Sequence, residues 1–436
     1  MKARKTVRVI TIVVFLVGSI LVACSPKNPE PTDSSDGTDV VTIQLLGCSY
    51  VGEALRSVLD KYEETHPGVK IEFQAVPFDN LNDVLTAQLS SGSETPDVYW
   101  ADQPRIPALA ARGYMLDLEK YLPEVKGKVF EDSIVESSWN GKLYSFPVST
   151  SSMMMFYNTD LLTAAGIELP SSDVADRWTW EQTLEAARKA KEAGSSYGLV
   201  FDQVDRYYQL QPLVESAGGG SGVTGSDNLT PDVKNDGWLK AMNFYGQIHE
   251  EEISPRGVAW EQIPDLFNTN QIAFYISGPW TAFIASGAEK LTYGVAPHPF
   301  FEGGKVVTPT GSWSLGINPK SKHLEEAIEF AKYISLDPEG NLAFNNVEGS
   351  PPALLEVFDT FFEQDAFTMQ SGLKDIAKII NYEVSTNAIP RPRTIGYIQF
   401  ETILGTAFSD IRNGLDPKTV LEKANSDLQE AFSQLK

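Results

Sequence analysis

Between residues 40 and 102 the spacing of apolar residues switches back and forth between two periods, and few folds tolerate that alternation. "VVTIQLL" (40–46) is a short β-rich run. Leu55, Val58, Leu59 and Tyr62 then recur at i, i+3, i+4 and i+7, an amphipathic helix stopped by Pro67-Gly68. Val69, Ile71, Phe73 and Ala75 alternate as in a strand, whereas Leu81, Val84, Leu85 and Leu89 return to helical spacing. "DVYW" (97–100) closes the series as a third strand. This βαβαβ order predicts an α/β fold with a mostly parallel sheet and helices on its faces.

A second α/β series follows "NGKLYSFPVSTSSMMMFYN". Thr179 and Gln182 have the spacing of a capping box at the start of a helix that Gly194 ends. "YGLVF" (197–201), "QIAFYIS" (271–277) and "YGVAP" (293–297) have strand character, and helical patterns occupy 324–335, 373–380, 397–412 and 417–435. There is no internal repeat and no coiled coil. "GSGVTG" (220–225) matches the dinucleotide fingerprint GxGxxG but follows a helical run and leads into another turn. The motif needs a strand before it and a helix after it, so it is a loop. No GxxxxGK[ST] loop occurs, and no nucleotide or other cofactor is expected.

The N-terminus has the form of an export signal. Lys2, Arg4, Lys5 and Arg8 precede an apolar run at 9–23 that falls short of the roughly 20 residues a membrane helix needs. "LVAC" resembles the lipobox of bacterial lipoproteins, which implies cleavage after residue 23 and lipidation of Cys24. The alternative is an uncleaved anchor helix that ends in a cysteine by chance. Residues 24–39 are rich in Pro, Ser, Thr and Asp and offer nothing to bury, so they form a flexible tether. The rest of the 436 residues suffices for two domains. The formal net charge of −23 argues against nucleic acid and strongly anionic ligands. Four scattered histidines, with no CxxC or HxxxH, point to no metal site.

Several spaced motifs together resemble one family, the extracellular solute-binding proteins of bacterial ABC transporters, in its carbohydrate-binding, maltose-binding-protein-like branch. "HPGVKIEFQAV" (66–76), "TPDVYWADQ" (95–103) and "NGKLYSFPVSTSSMMMFYNTDLLTAAGI" (140–167) are similar to its N-terminal half. "RWTWEQTLEAA" (177–187), "FNTNQIAFYISGPW" (267–280), "YGVAPHPF" (293–300) and "GSWSLGINPKSKHLEEAIEFAKYIS" (311–335) are similar to the remainder. The resemblance implies a two-lobe periplasmic-binding-protein-like fold with crossing hinge segments and an interlobe cleft. By motif placement the crossings would lie at 149–153, 305–308 and 335–338. The N-lobe would then be 40–148 with 309–335, and the C-lobe 153–304 with 338–436. It further implies a monomer without catalytic residues that takes a sugar or oligosaccharide. The partners would be two membrane permease subunits served by separate ATPase subunits.

Open α/β sheets hold ligands beyond the carboxyl ends of their strands. That rule selects Ser49 and Tyr50 after the first strand, and Trp100 and Asp102 after the third. Trp100 could equally be a core aromatic and Asp102 a helix cap. A sugar offers an apolar C–H face and a rim of hydroxyls, so it calls for flat aromatics bordered by polar groups. Of the eight tryptophans, Trp139, Trp178, Trp180 and Trp238 fit structural positions. Trp280 ends a strand at "SGPW", where the family commonly faces the sugar, and Trp313 lies beside the second expected crossing. Arg393 and Tyr397 in "IPRPRTIGY" match a ligand-facing segment of the family, against a plain salt bridge and a helix-start packing residue. Trp260, Tyr207, Tyr208 and Asp202 are further candidates, followed by Phe78 and Asp79. Two other functions share these features: a secreted glycoside hydrolase, and a binder of a non-sugar solute such as a polyamine or peptide.

Overall fold

The computed structural model describes residues 40–435. The leader, the tether and Cys24 lie outside the described residues. The strands that carry the architecture are, in chain order, β1 (Val41–Cys48), β2 (Val69–Val76), β3 (Val98–Asp102) and β4 (Ser145–Pro147). They continue with β5 (Met154–Asn158), β6 (Tyr197–Phe201), β7 (Ile272–Ser277) and β8 (Tyr293–Pro297). Last come β9 (Thr308–Pro309), β10 (Trp313–Ile317) and β11 (Ala388–Ile389).

The first lobe is built on a five-stranded sheet in the order β2-β1-β3-β10-β4. β1 pairs in parallel with both β2 and β3, the arrangement that a βαβαβ unit dictates. The helix Ala54–Thr65 buries Leu55, Val58, Leu59 and Tyr62, the four residues its spacing singles out. β10 arrives about two hundred residues after β3 and pairs with it antiparallel, with Trp313 opposite Asp102 and Leu315 opposite Trp100. An antiparallel strand begins where its parallel neighbours end. Trp313, the first residue of β10, therefore sits at the carboxyl edge of β3.

The second lobe has a four-stranded sheet in the order β8-β5-β7-β6. β6 and β7 are parallel to each other, and β5 runs antiparallel between β7 and β8. Its core lies on both faces, so its strands read as unbroken apolar runs rather than alternating ones. Met155, Tyr157, Leu199 and Phe201 pack on one side with Trp180 and Trp238. Met154, Phe156, Val200 and Tyr275 pack on the other with Phe267 and Phe361. Both halves of the capping box form on the helix Trp180–Glu192: Thr179 accepts from the Gln182 amide and Gln182 returns the bond to the Thr179 N–H.

Between the lobes, β9 and β11 form a two-stranded parallel ribbon. The segment before β5 is stitched to it, because the Met153 N–H donates to Thr308 Oγ1 at 2.9 Å and Ser149 Oγ donates to Ser312 Oγ at 2.9 Å. The third passage differs from the expected 335–338. The helix Pro338–Glu348 packs on the helices Ala54–Thr65 and Leu324–Leu336. Phe344, Ala353, Leu354 and Val357 belong to the first lobe's core, whereas Phe358 belongs to the second's. The chain therefore leaves the first lobe at Val357. Asp337-Pro338, a helix-breaking pair in sequence, merely caps the next helix: Asp337 Oδ1 accepts from the Glu339 and Gly340 amides.

Candidate functional site

The carboxyl edges of the two sheets face a cleft of about 450 Å³. The first lobe lines it with Tyr50 after β1, Phe78 after β2 and Trp313 at the start of β10. Phe78 stands edge-on to Trp313, with centroids 6.0 Å apart. The second lobe lines it with Tyr208, Trp260, Trp280 and Phe283. Trp280 folds back over Gly278, where a β-carbon would meet its ring at 2.2 Å, so only glycine permits this placement. Two aromatic walls thus confront each other with polar groups at their margins.

Those polar groups form a connected pattern. Arg391 grips Asp102 with two bonds, 3.0 Å from Nη1 and 2.6 Å from Nη2, and its guanidinium lies 5.0 Å from the centre of the Tyr208 ring. Arg105 pairs with Glu401. Burial drives the Glu401 carboxyl upward, but the guanidinium groups of Arg105 and Arg391 outweigh it and hold the pKa below its ordinary value. On the second lobe, Asp202 accepts from the Tyr275 hydroxyl and, at 2.9 Å, from Trp280 Nε1. Burial raises its pKa in spite of those bonds. On the first lobe, Glu348 accepts from the Tyr50 hydroxyl at 2.9 Å, and burial pushes its pKa up to about 7.

At the rim, Arg206 of the second lobe pairs with Asp79 of the first. Its guanidinium lies 4.5 Å from the Phe78 ring centre and 5.5 Å from that of Trp260, and Trp260 Nε1 donates to Asp79 at 3.0 Å. Four side chains from two lobes make a latch across the opening.

Of the residues singled out from the sequence, Tyr50, Asp102, Asp202, Trp260, Trp280 and Trp313 line the cleft. Phe78 and Tyr208 join them, and Asp79 stands at the rim. The other five do not line it. Ser49 opens an exposed helical turn at the end of β1. Trp100 is buried behind the wall, its ring 5.5 Å from that of Trp313, so it supports rather than faces the opening. Tyr207 points into the core, stacked on Trp238 and edge-on to Phe400, with its hydroxyl donating to the Ser221 carbonyl. Arg393 lies beside Glu136, Gln103 and Thr310 in a separate small cavity behind the hinge. Tyr397 is buried at a helix start against Phe400.

Arg206, Phe283, Glu348, Arg391 and Glu401 line the cleft without having been foreseen. The strand-end rule reaches Arg206, five residues past β6. No local pattern distinguishes Arg391 from Arg393, or points to a glutamate at the far end of a helix.

Comparison with known proteins agrees with this fold. The family described as bacterial extracellular solute-binding protein matches residues 49–340. The galactooligosaccharide-binding protein of Bacillus subtilis (strain 168) is 25% identical over 93% of this chain and 92% of its own length. A maltooligosaccharide ABC transporter solute-binding lipoprotein of Streptococcus pneumoniae (strain ATCC BAA-255 / R6) is 26% identical over 78% of each chain. Among solved structures, an ABC substrate-binding protein from Listeria monocytogenes in complex with cycloalternan superposes with a TM-score of 0.78 at 20% identity, covering 91% of this chain and all of the other. The match across most of the two lobes, on a fold with an interlobe cleft, makes this chain a member of the bacterial extracellular solute-binding protein family.

Proposed function

We propose that this protein captures a sugar or oligosaccharide between its lobes and hands it unchanged to a membrane permease. The observation that carries this is the pair of facing aromatic walls, Phe78 and Trp313 against Trp260 and Trp280, bordered by carboxylates and guanidinium groups. Stacked rings bind the C–H faces of a pyranose, and fixed polar groups discriminate hydroxyl orientation, because a wrong epimer leaves them buried and unpaired. The names of the relatives, which specify galacto- and maltooligosaccharides, support the same ligand class.

Binding proceeds by hinge closure. Ligand on one wall gains contacts with the other only when the lobes close, and it shifts the balance by that difference in affinity. A micromolar affinity, about −8 kcal/mol, allows both capture and release. The acceptor is a two-subunit permease with separate ATPase subunits. The protein remains near it through lipidated Cys24 and the tether at 24–39.

Titration calorimetry with graded maltooligosaccharides, galactooligosaccharides and their monosaccharides tests this reading. Saturable binding of at least one series, with the saccharide recovered intact, is expected. Failure of every saccharide, or release of hydrolysis products, overturns it.

A further inference from the structure

Matching each charge in the cleft to its partner leaves an imbalance. Arg391 is engaged by Asp102, Arg105 by Glu401, and Arg206, whose field reaches Asp202, by Asp79. Asp202 and Glu348 remain, and among the described residues neither has an ion-pair partner. Both are more than nine-tenths buried. Among the described residues Asp202 holds only neutral donors, the hydroxyls of Tyr275 and Ser277 and the indole N–H of Trp280. Glu348 likewise has only neutral donors around it, the Tyr50 hydroxyl on Oε1 with the Ser350 hydroxyl and amide and the Trp313 indole beside the carboxyl, while among the described residues its buried Oε2 completes no hydrogen bond.

Three further features bear on the same spot. Asp202 and Glu348 come from opposite lobes: Asp202 is hydrogen-bonded to Trp280, and Glu348 immediately precedes Gly349, where an added β-carbon would lie 3.6 Å from that of Trp280. Glu348 is the last residue of the 11-residue helix Pro338–Glu348, so unpaired carbonyls and the negative end of the helix dipole lie beside it. The indole of Trp280 offers the electron-rich surface that attracts a cation. Neutral hydroxyl donors could satisfy lone pairs here, but only a cation offsets the charge that these two buried carboxyls carry when ionised.

We propose that Asp202 and Glu348, lining the cleft from opposite lobes, form a subsite for a basic nitrogen, so that the captured saccharide is an amine-bearing one. This rests on the saccharide reading above and narrows it. The ammonium closes the charge balance only when both carboxylates reach it, which ties its recognition to lobe closure.

Calorimetry at pH 7 decides the matter with matched trios of the malto- and galactooligosaccharides: the neutral sugar, its 2-amino-2-deoxy counterpart, and the N-acetylated form of that amine. Spermidine and putrescine serve as amines without a sugar. The expected result is that the free amine binds tighter than its neutral counterpart by about tenfold or more, and that N-acetylation, which keeps the nitrogen but removes the charge, abolishes the preference. The ratio of amine to neutral affinity is expected to fall severalfold in Asp202→Asn and in Glu348→Gln, each verified as folded by its thermal melt. Neutral sugars binding as tightly as the amines would overturn the subsite and leave the saccharide reading standing. Binding of spermidine or putrescine with no saccharide bound would overturn the saccharide reading and the aminosaccharide with it. An unchanged ratio in both variants would also sink the assignment of these two residues.

Discussion

Trp280 and Trp313 occupy equivalent places on opposite walls, each at the carboxyl edge of its sheet, and each exposes only part of its ring. Replacing either with alanine is expected to weaken saccharide binding by more than about 2 kcal/mol, measured by calorimetry on protein with an unchanged melting profile. Glu348 makes a prediction of opposite sign for stability. Burial raises its pKa from the usual 4.5 to about 7, so the fold prefers the protonated acid. Below pH 4.5 folded and unfolded chains are both protonated there and nothing is lost. As pH rises from 4.5 to 7 the unfolded chain ionises first, and the fold loses about 3 kcal/mol, a loss that is complete above pH 7. Glu348→Gln, which does not titrate, is expected to melt higher than the parent at pH 8 in the absence of ligand and alike at pH 4. Equal melting differences at both pH values would contradict this. Residues were the level hardest to read from sequence. Tyr207 and Tyr208 are adjacent at a helix start, and a helix turns neighbours about 100° apart, so one enters the core and the other the cleft. Nothing local states which.

Secondary-structure elements were far more legible, because their apolar periods are set by which face each one buries. The four buried positions of the helix Ala54–Thr65, the limits of β6 and β8, and the capping box of Trp180–Glu192 all follow from spacing alone. The passage between lobes near Val357 was not legible, because an Asp-Pro pair signals a break in a helix without saying which body the next helix joins. The rim latch also belongs to this scale, since it joins the turn after β2 to the loop after β6 and to Trp260. Its exposed ion pair is worth little alone, and the stacked guanidinium adds about 0.5–1 kcal/mol. Asp79→Ala or Arg206→Ala is therefore expected to shift the ligand-free protein toward an open form, seen in solution scattering as a larger radius of gyration. Raising the salt concentration acts in the same direction on the parent and has less effect on either variant. Identical scattering of parent and variants would show that the latch does not hold the lobes.

For the whole molecule, the order of strands and helices limited the fold to α/β before any pairing was known, but the sharing of chain between lobes came only from the tertiary contacts. The proposed address is tested at this scale as well. Cys24→Ser is expected to move the protein from the membrane fraction to the medium or the periplasm without changing its affinity for ligand; retention on the membrane would exclude lipidation as its attachment. A different consequence follows from β10. The middle of the first lobe's sheet is completed by Trp313–Ile317, which is synthesised after all of β5 to β8. Until that strand emerges, Val98–Asp102 offers an unpaired edge to any other chain nearby. The amino-terminal third of this protein is consequently not a separable module: a fragment cut before Trp313 would present a sticky flank, and the nascent chain crossing a membrane must wait for its distant partner before its first half can settle.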